Sequence, residues 1–263
     1  MLKELTLTGE IDKVEVAMAR LRLHEPPEGY YVAFSGGKDS CVVLDLCRRA
    51  GVKYDAHYNL TTVDPPELVY FIRENYPDVE KCLPEQTMWE LIKRKGILPT
   101  PMIRFCCSEL KERGGNGRYV VTGIRHEESI NRSKRSITET CKTKKGKSFI
   151  HPIIEWSKNE VWEYIHKFNV PYCKLYDEGQ SRIGCVLCPF EGKEQRISDI
   201  KRYPKIVECY RKAINLGFIQ PKNSNFQSAD DLFEWWLRQG YRNGQHIDTE
   251  ISLFGLRLDE SSL

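Results

Sequence analysis

Short apolar runs rich in β-branched and aromatic residues alternate along the chain with longer segments whose apolar positions recur at helical spacing. The runs predict five β-strands, at Tyr30–Phe34, Lys53–Asn59, Val79–Leu83, Arg118–Ile124 and Phe149–Ile153. The segments between them predict helices at Lys38–Ala50, Pro66–Asn75, Thr87–Lys95 and Ser108–Arg113. This alternation indicates an α/β fold with a doubly wound, mostly parallel five-stranded sheet, in which ligands bind at the carboxyl ends of the strands.

Both flanks of this region are predicted to be helical. Residues 1–29 carry apolar positions near helical spacing and end at Pro26-Pro27, which predicts an N-terminal helical segment. Ser157-Lys158-Asn159-Glu160 has the spacing of a capping box and begins another helix. Arg202–Leu216 and Ala229–Gln239 predict the helices of a small C-terminal region. We therefore expect a helical segment over 1–29, an α/β domain over 30–190 and a helical region over 191–263.

Composition limits the class of protein. The 263 residues are 40% hydrophobic and 29% charged, which is ordinary for a globular protein, and a net charge of +3 does not by itself indicate a nucleic-acid partner. No apolar run approaches a membrane span, and the N-terminus lacks an apolar signal core, so we expect a cytoplasmic protein. There, the ten cysteines are not expected to form a disulfide framework, and clustered cysteines indicate metal ligands or reactive thiols.

A glycine turn joins the first predicted strand to the first helix. It reads Ser35-Gly36-Gly37-Lys38-Asp39-Ser40. The glycines permit a sharp turn, and the first N–H groups of the helix lie unpaired at the positive end of its dipole. Such a turn suits phosphate or pyrophosphate. It is not a Walker A loop, because the glycines are adjacent and the lysine follows at once. The alternative is a glycine-rich turn that binds nothing.

Four cysteines form two closely spaced pairs, Cys106-Cys107 and Cys185-Val186-Leu187-Cys188. Their thiolates can hold one metal centre, either a tetrahedral zinc ion or an iron–sulfur cluster. The alternative is two buried pairs or a redox dithiol. Core packing is expected for the single cysteines Cys41, Cys47, Cys82, Cys173 and Cys209. Cys141 lies in a basic segment and has two interpretations, an exposed reactive thiol or a substitute ligand.

Polar residues follow the second and fourth predicted strands. Gly123 permits close backbone approach, and Arg125 and Arg132 can bind phosphate or sulfate oxygens. Asp64 and Glu67 either orient a metal ion, ribose or cation or form an acidic helix N-terminus.

The basic stretch 132–147 is interpreted as a surface loop, with a lid over an anionic substrate or a nucleic-acid contact as alternatives. His151 is structural or functional. Core packing is expected for Trp156, Trp162, Trp235 and Trp236.

In type and order, these motifs resemble those of the PAPS/APS reductase family within the adenine-nucleotide α-hydrolase, or PP-loop, superfamily. The stretch Ser35–Ser40 resembles the PP-loop, and Thr122–Ser129 with Arg132 resembles the Thr-Gly-x-Arg-x-x-Glu-Ser…Arg segment. The Cys-Cys pair followed by Cys-x-x-Cys is similar to the [4Fe–4S] site of APS-type reductases. Sulfur-transferring enzymes of DNA phosphorothioation are also similar. The resemblance covers roughly residues 28–190.

The resemblance implies the site residues. Those that bind the nucleotide and its phosphates would be Ser35, Gly36, Gly37, Lys38, Asp39, Ser40, Gly123, Arg125 and Arg132. Lys38, Asp39 and Arg125 would be catalytic. The ligands of a [4Fe–4S] cluster, favoured over zinc, would be Cys106, Cys107, Cys185 and Cys188.

Mg²⁺ is expected with ATP. The implied partners are an adenine nucleotide (ATP, or PAPS or APS), a nucleic-acid or small-molecule sulfur acceptor, and a protein that donates sulfur or electrons. No membrane partner is expected, and a homodimer is one alternative for the oligomeric state.

Two departures separate the chain from assimilatory sulfonucleotide reductases. Those enzymes carry a nucleophilic cysteine within a C-terminal Glu-Cys-Gly-x-His, whereas no cysteine follows Cys209 here. The complete Ser-Gly-Gly-Lys-Asp-Ser loop is typical of ATP-pyrophosphatase relatives. We therefore expect sulfur transfer of the ATP-pyrophosphatase type, assisted by an iron–sulfur cluster. One alternative is a PAPS or APS reductase that yields sulfite and uses another nucleophile, such as Cys141, Cys209 or a partner's thiol. The other is a non-catalytic, nucleotide-binding partner subunit.

Overall fold

A computed structural model describes residues 1–6, 9–140, 146–219 and 225–238. The chain forms two compact units, one made of residues 1–88 and 105–185 and the other of residues 89–104 and 186–263. Cys141, residues 142–145 of the basic stretch and Gln239 lie outside the described residues. None of the described helices is both long and apolar enough to cross a membrane.

Helices and strands alternate along the described residues. The helices are α1 (Lys13–Leu23), α2 (Lys38–Ala50), α3 (Pro66–Asn75), α4 (Met88–Lys95), α5 (Ile130–Ser133), α6 (Lys158–Phe168), α7 (Lys193–Arg202), α8 (Pro204–Gly217) and α9 (Ala229–Arg238). The strands are β1 (Lys3–Thr6), β2 (Gly9–Asp12), β3 (Tyr30–Phe34), β4 (Tyr54–Asn59), β5 (Glu80–Cys82), β6 (Tyr119–Val121), β7 (Thr138–Thr140) and β8 (Ser148–Ile150).

The first unit contains a six-stranded sheet in the order β5-β4-β3-β6-β8-β7. Neighbouring strands are parallel except for β7, which runs antiparallel to β8 at one edge. The α/β class and the mostly parallel sheet are thus confirmed, with one strand more than the five predicted. The additional strand, β7, has only three residues and no apolar run, so its pairing with β8 rather than its own sequence defines it.

The central strand β3 positions the glycine turn. Tyr30, Val32 and Phe34 of this strand pack into a hydrophobic core with buried residues of α1, α2 and α6. Helix α2 begins after Gly37 and ends at Gly51, which has a φ of +69°. Because glycine adopts this left-handed conformation without a steric cost, the helix stops there. The predicted bounds of α2 and α3 are confirmed.

The N-terminal segment is helical only in part. Strands β1 and β2 pair antiparallel ahead of α1, so the prediction of a helix is wrong over Lys3–Thr6 and Gly9–Asp12. The backbone N–H of Leu2 donates to Glu163 Oε2 of α6 at 3.1 Å, and Leu2 itself is buried. Such contacts with a distant helix are invisible to local periodicity. Helix α1 then begins at Lys13, after the N-cap residue Asp12, whose carboxylate accepts from the Val14 N–H at 2.9 Å.

The described residues after Gly192 in the second unit form helices α7, α8 and α9, as predicted for the C-terminal region. The segment predicted as one helix from Arg202 contains the end of α7 and the whole of α8, with Tyr203 between them. Because a residue before proline avoids the helical conformation, Tyr203 has φ −122° and ψ 53°, and α8 begins at Pro204. Trp236 of α9 is buried as expected, whereas its neighbour Trp235 is 41% exposed and the prediction of a core position there is wrong.

Candidate nucleotide-binding site and cysteine motifs

The stretch Ser35–Ser40, here called the PP-loop, connects β3 to the N-terminus of α2. Gly36 has a φ of +71°, and a Cβ atom there would lie 2.7 Å from Leu68 Cδ1 and from Ile72 Cδ1 of α3. Ser40 Oγ donates to Gly37 O at 2.8 Å and accepts from Ser35 Oγ at 3.2 Å. Hydrogen bonds within the loop therefore fix its shape, and any side chain at position 36 would have to displace the side chains of Leu68 and Ile72.

The three predicted catalytic residues form one ionic network. Lys38 Nζ donates to Asp39 Oδ2 at 2.7 Å, and Arg125 Nε donates to Asp39 Oδ1 at 2.6 Å. Lys38 and Arg125 are buried. Burial by itself would lower the pKa of Arg125, but the charge and hydrogen bond of Asp39, together with Glu128 and Glu127, outweigh it and raise the pKa above its ordinary value. Arg125 Nη1 also donates to Glu127 Oε2, which is largely exposed, at 2.9 Å. Two cationic groups thus lie beside the first turn of α2, where anions are stabilised.

The segment after β6 brings Gly123, Arg125 and Arg132 to this network. A Cβ atom at Gly123 would lie 2.9 Å from the carbonyl carbon and oxygen of Asp39, so glycine permits the close approach. The Arg125 N–H donates to Glu128 Oε2 at 2.9 Å, and the Arg132 guanidinium pairs with the same oxygen. Glu128 therefore links the two arginines that the sequence predicts to bind an anion.

Tyr176 belongs to the same site but was missed by sequence reasoning. Its hydroxyl accepts from the backbone N–H of Lys38 at 2.9 Å, and Lys38 Nζ lies 5.7 Å from the centre of its ring. Burial raises the pKa of Tyr176, so the phenol stays protonated and can still donate its own hydrogen. The Tyr176 hydroxyl thus accepts a hydrogen bond from one N–H group at the N-terminus of α2 and can donate its own hydrogen to a ligand. No signal in the local sequence marks it, because 138 residues separate it from Lys38.

His151 is buried beside Thr122, the residue that follows β6. Its Nδ1 lies 2.7 Å from Thr122 Oγ1, and its Nε2 has no hydrogen-bond partner among the described residues. Burial lowers the pKa of His151 to about 4, so the ring is neutral near pH 7. The histidine therefore orients the segment after β6 rather than supplying charge to a ligand.

Asp64 supports the turn that follows β4. One of its oxygens, Oδ2, accepts from the Tyr58 hydroxyl at 2.7 Å and from the Thr61 N–H at 2.8 Å. Glu67 lies in the first turn of α3. Of the two interpretations of this acidic stretch, the arrangement favours a structural helix entry.

The vicinal cysteines lie on a turn of unusual geometry. Residues Cys107–Lys111 form a π-helical turn, a form that occurs frequently at functional sites. The carbonyl oxygen of Lys111 accepts from Asn59 Nδ2 at 2.9 Å. Since Asn59 is the last residue of β4, the turn that carries Cys106 and Cys107 is fixed at the carboxyl end of that strand.

The Cys-x-x-Cys motif begins at the same end of β4. Cys185 Sγ donates to Thr61 Oγ1 at 3.5 Å, and Thr61 lies two residues beyond β4. Leu187 has a φ of +57°, which is uncommon for a residue with a side chain. In the second unit, Asp199 Oδ2 accepts from the Leu187 N–H at 2.9 Å, and Glu191 Oε2 accepts from the Cys188 N–H at 3.0 Å. Two carboxylates thus hold the turn between the cysteines in a strained form.

The spacing of the sulfur atoms bears on the kind of metal centre. Within the part of the chain that the structure describes, the group with three Cys, His, Asp or Glu donor atoms all within 4.8 Å comprises His57, Glu80 and Cys82. Cys106, Cys107 and Cys185 do not form such a group. Ligands of one tetrahedral ion must lie that close, whereas thiolates of an iron–sulfur cluster bind separate iron atoms and lie farther apart. Cys106, Cys107 and Cys185 therefore do not present a compact three-donor site for a single tetrahedral ion in the described structure.

The remaining described cysteines divide into two groups, and the nine described cysteines form no disulfide. Cys41, Cys47 and Cys173 are buried, which confirms the prediction of core packing. That prediction is wrong for Cys209, which is exposed on α8, and for Cys82, which lies beside His57 on the sheet. Whether the side chains of Cys209 and Cys82 are buried depends on the tertiary packing around α8 and β5, which the local sequence does not show.

The parallel sheet and the loop between β3 and α2 define an α/β protein of the PP-loop class. The model for the phosphoadenosine phosphosulfate reductase domain matches residues 29–191, which is more than half of the chain. The chain belongs to this family. The matched region includes the PP-loop, the Arg125 segment and both cysteine motifs.

Individual relatives agree with this assignment. An uncharacterized protein of Methanocaldococcus jannaschii is 30% identical over 233 residues, covering 82% of this chain and 45% of that protein. The adenosine 5'-phosphosulfate reductase of Oceanobacillus iheyensis is 29% identical over 168 residues, covering 59% of this chain and 69% of the enzyme. The chain spans less than half the length of the two Methanocaldococcus jannaschii proteins that it matches.

A solved structure shares the fold. The crystal structure of the phosphoadenylyl-sulfate (PAPS) reductase of Candida auris, a phosphate complex, aligns with a TM-score of 0.50 and 21% identity. The alignment covers 64% of this chain and 87% of that one. At this identity the likeness shows the fold alone.

Proposed function

We propose that this chain is an ATP-pyrophosphatase-type enzyme of sulfur transfer, assisted by an iron–sulfur cluster. One observation carries the proposal: the PP-loop, the turn that carries Cys106 and Cys107, and Cys185 lie at the carboxyl ends of neighbouring parallel strands. The PP-loop follows β3, and both Cys185 and the turn after Cys106 contact residues at the end of β4. Ligands bind at this edge of parallel sheets. A nucleotide and a cluster would therefore be neighbours.

The chemistry follows from the charges at the PP-loop. An acceptor oxygen attacks the α-phosphorus of ATP, the bond to the β-phosphate breaks, and pyrophosphate leaves. Lys38 and the first N–H groups of α2 bind the charge of the departing pyrophosphate. Arg125 and Arg132 hold the remaining anionic group, and Asp39 keeps Lys38 and Arg125 in place. Mg²⁺, placed by Ser35, Asp39 and Ser40, would neutralise the phosphates.

In the second stage, a sulfur nucleophile from a donor protein attacks the acceptor atom that bears the adenylated oxygen, the bond to that oxygen breaks, and AMP leaves. Cys106, Cys107, Cys185 and Cys188 would hold the cluster, which supplies a site that carries or positions sulfur. The π-helical turn and the strained Leu187 turn fix the backbones of both motifs in advance of binding. The acceptor is a nucleic acid or a small molecule in this proposal.

The comparisons favour a second candidate, a sulfonucleotide reductase. The likeness to the adenosine 5'-phosphosulfate reductase of Oceanobacillus iheyensis supports it. Such an enzyme would release sulfite from APS or PAPS and would need a nucleophilic thiol. The exposed Cys209 is one described thiol with the required access. A partner subunit that binds nucleotide without turnover is the third candidate.

Nucleotide products distinguish the candidates. The protein is purified anaerobically and offered ATP, APS and PAPS separately. Pyrophosphate and AMP from ATP, lost in Lys38→Ala and kept in the exposed-site control Lys212→Ala, support the proposal. Sulfite from APS or PAPS with added thiol contradicts it and supports the reductase. Nucleotide binding without any product, also when nucleic-acid and small-molecule acceptors are added, supports the partner subunit.

Iron content tests the cluster separately. Acid-labile sulfide and iron are expected in the wild-type protein and lost in Cys185→Ser. The matched control Cys209→Ser removes an exposed cysteine outside the motifs and should keep both. Equal iron in the two variants would contradict the assignment of Cys185 as a ligand.

A further inference from the structure

We propose that His57, Glu80 and Cys82 form a binding site for one divalent metal ion of the zinc class. These residues lie on β4 and β5 in the first unit, and none of them belongs to the PP-loop or to the cysteine motifs. The proposal does not depend on the proposed function.

The three donor atoms have the separations that a tetrahedral ion requires. His57 Nδ1 lies 3.5 Å from Cys82 Sγ and 3.3 Å from Glu80 Oε2, and all three donors lie within 4.8 Å of one another. A tetrahedral zinc ion with ordinary bond lengths places nitrogen and sulfur ligands about 3.5 Å apart and nitrogen and oxygen ligands about 3.4 Å apart. The site thus needs little rearrangement to accept the ion.

The imidazole is oriented for metal binding by its other nitrogen. His57 Nε2 pairs with the Asp55 carboxylate, which Arg118 Nη2 holds at 2.5 Å. Because a carboxylate only accepts hydrogen bonds, Nε2 carries a hydrogen. In the neutral ring, the lone pair of Nδ1 then faces Cys82 and Glu80. The Tyr31 ring stacks on the imidazole at 4.2 Å with an interplanar angle of 4°. A carboxylate behind a histidine is the usual second partner of a metal-binding imidazole.

The sheet register brings the three side chains to one face. His57 is paired directly with Glu80, and Cys82 follows Glu80 by two residues, so their side chains point the same way. Arg113 Nη2 donates to Cys82 O at 3.2 Å and fixes the end of β5. Strand β5 is at the edge of the sheet, and the Glu80 side chain is 69% exposed, so an ion reaches the site from solvent.

Charge and ligand type indicate the class of metal. A thiolate and a carboxylate together balance a divalent ion, and the imidazole binds as a neutral ligand. Sulfur and nitrogen donors favour zinc and its close chemical relatives over Mg²⁺ and Ca²⁺, which prefer oxygen. Three protein ligands leave the fourth tetrahedral position for water, as in zinc sites that exchange ligands.

The competing explanation is a metal-free cluster in which a protonated His57 pairs with Asp55 and Glu80 while Cys82 stays a thiol. Co²⁺ distinguishes the two, because a cobalt–thiolate bond gives a charge-transfer absorption. Purified protein is titrated with Co²⁺ and then with Zn²⁺. The proteins compared are the wild type, Cys82→Ser, Glu80→Gln and the exposed-cysteine control Cys209→Ser. Circular dichroism establishes that each variant is folded.

The wild type and Cys209→Ser should bind one more equivalent of Co²⁺ than Cys82→Ser. The difference spectrum between wild type and Cys82→Ser should contain a cobalt–thiolate band that Zn²⁺ displaces. Glu80→Gln changes an exposed side chain and should keep the band while weakening Co²⁺ binding at least about tenfold, as the loss of a ligand requires. The proposal is overturned if Cys82→Ser matches the wild type in stoichiometry and spectrum. It is equally overturned if Glu80→Gln binds Co²⁺ as tightly as the wild type.

Discussion

Gly36→Ala adds one methyl group at the point where the PP-loop lies against α3. The new Cβ atom would lie 2.7 Å from Leu68 Cδ1 and from Ile72 Cδ1, and both side chains are buried. The backbone φ of +71° adds a cost that any residue with a side chain would incur. Two separate costs therefore lower the free energy of unfolding of Gly36→Ala: the left-handed backbone conformation and the overpacking against α3.

Gly51→Ala supplies the matched control. Gly51 has nearly the same φ, +69°, but a Cβ atom there would meet nothing within 4 Å. The left-handed conformation costs about 1–2 kcal/mol. The loss of unfolded-chain freedom in alanine offsets about 0.4–1 kcal/mol of that. We expect Gly51→Ala to lower the free energy of unfolding by about 1 kcal/mol. Overpacking adds about 1–3 kcal/mol, so Gly36→Ala should lower it by about 2–4 kcal/mol.

Urea unfolding followed by far-ultraviolet circular dichroism measures the loss of unfolding free energy in both variants, whose substitutions lie in the same structural unit. The difference between the two losses in the free energy of unfolding is the cost of the added contacts with α3. If Gly36→Ala is no more destabilising than Gly51→Ala, the PP-loop does not pack on α3 as described. A double-mutant cycle with Leu68→Ala identifies the contact responsible, if Gly36→Ala costs less in the Leu68→Ala background than in the wild type.

Three further predictions concern buried polar groups. Arg125→Gln leaves the Asp39 carboxylate with one cationic partner and should cost about 3 kcal/mol in urea unfolding; a loss below 1 kcal/mol would show that the pair is not buried as described. Because burial lowers the pKa of His151 from 6.5 to about 4, the unfolded chain takes up the proton first as the pH falls. Stability should therefore be full above pH 6.5 and fall by about 2 kcal/mol between pH 7 and pH 5. In His151→Gln this part of the pH dependence should vanish, and an unchanged pH profile would refute the assignment. Asp199→Ala removes the acceptor of the Leu187 N–H and should cost about 2 kcal/mol in thermal unfolding, whereas a neutral result would mean that the turn needs no such support.

Local patterns were sufficient for the elements that build the PP-loop. The glycines at either end of α2 and the proline that starts α3 carry stop and start signals, and the bounds of both helices follow from them. The capping box at Ser157 likewise marks the start of α6. Each of these signals acts within a few residues, so the sequence displays it directly.

Contacts between distant residues account for what sequence reasoning missed. The β1–β2 hairpin is defined by its own pairing and by the hydrogen bond of Leu2 with Glu163. Tyr176 joins the PP-loop through one hydroxyl, and no periodicity predicts which tyrosine does so. The sequence around Cys82 predicts a position in the core, yet the register of β5 places Cys82 beside His57. The split between α7 and α8 is different, because Pro204 was a readable signal that the helical pattern obscured.

The hydrogen bond between Tyr176 and Lys38 has a consequence for biosynthesis. A ribosome produces the chain from its N-terminus, so α2 emerges long before the 3-10 turn that carries Tyr176. The contact between Asp39 and Arg125 closes at an intermediate stage, 86 residues apart in the chain. The anion site is therefore completed only after nearly all of the first unit has been translated. A nascent chain that stalls before Tyr176 has the loop and the lysine but not the finished pocket, and ligand-dependent folding can begin only at the end of synthesis of that unit.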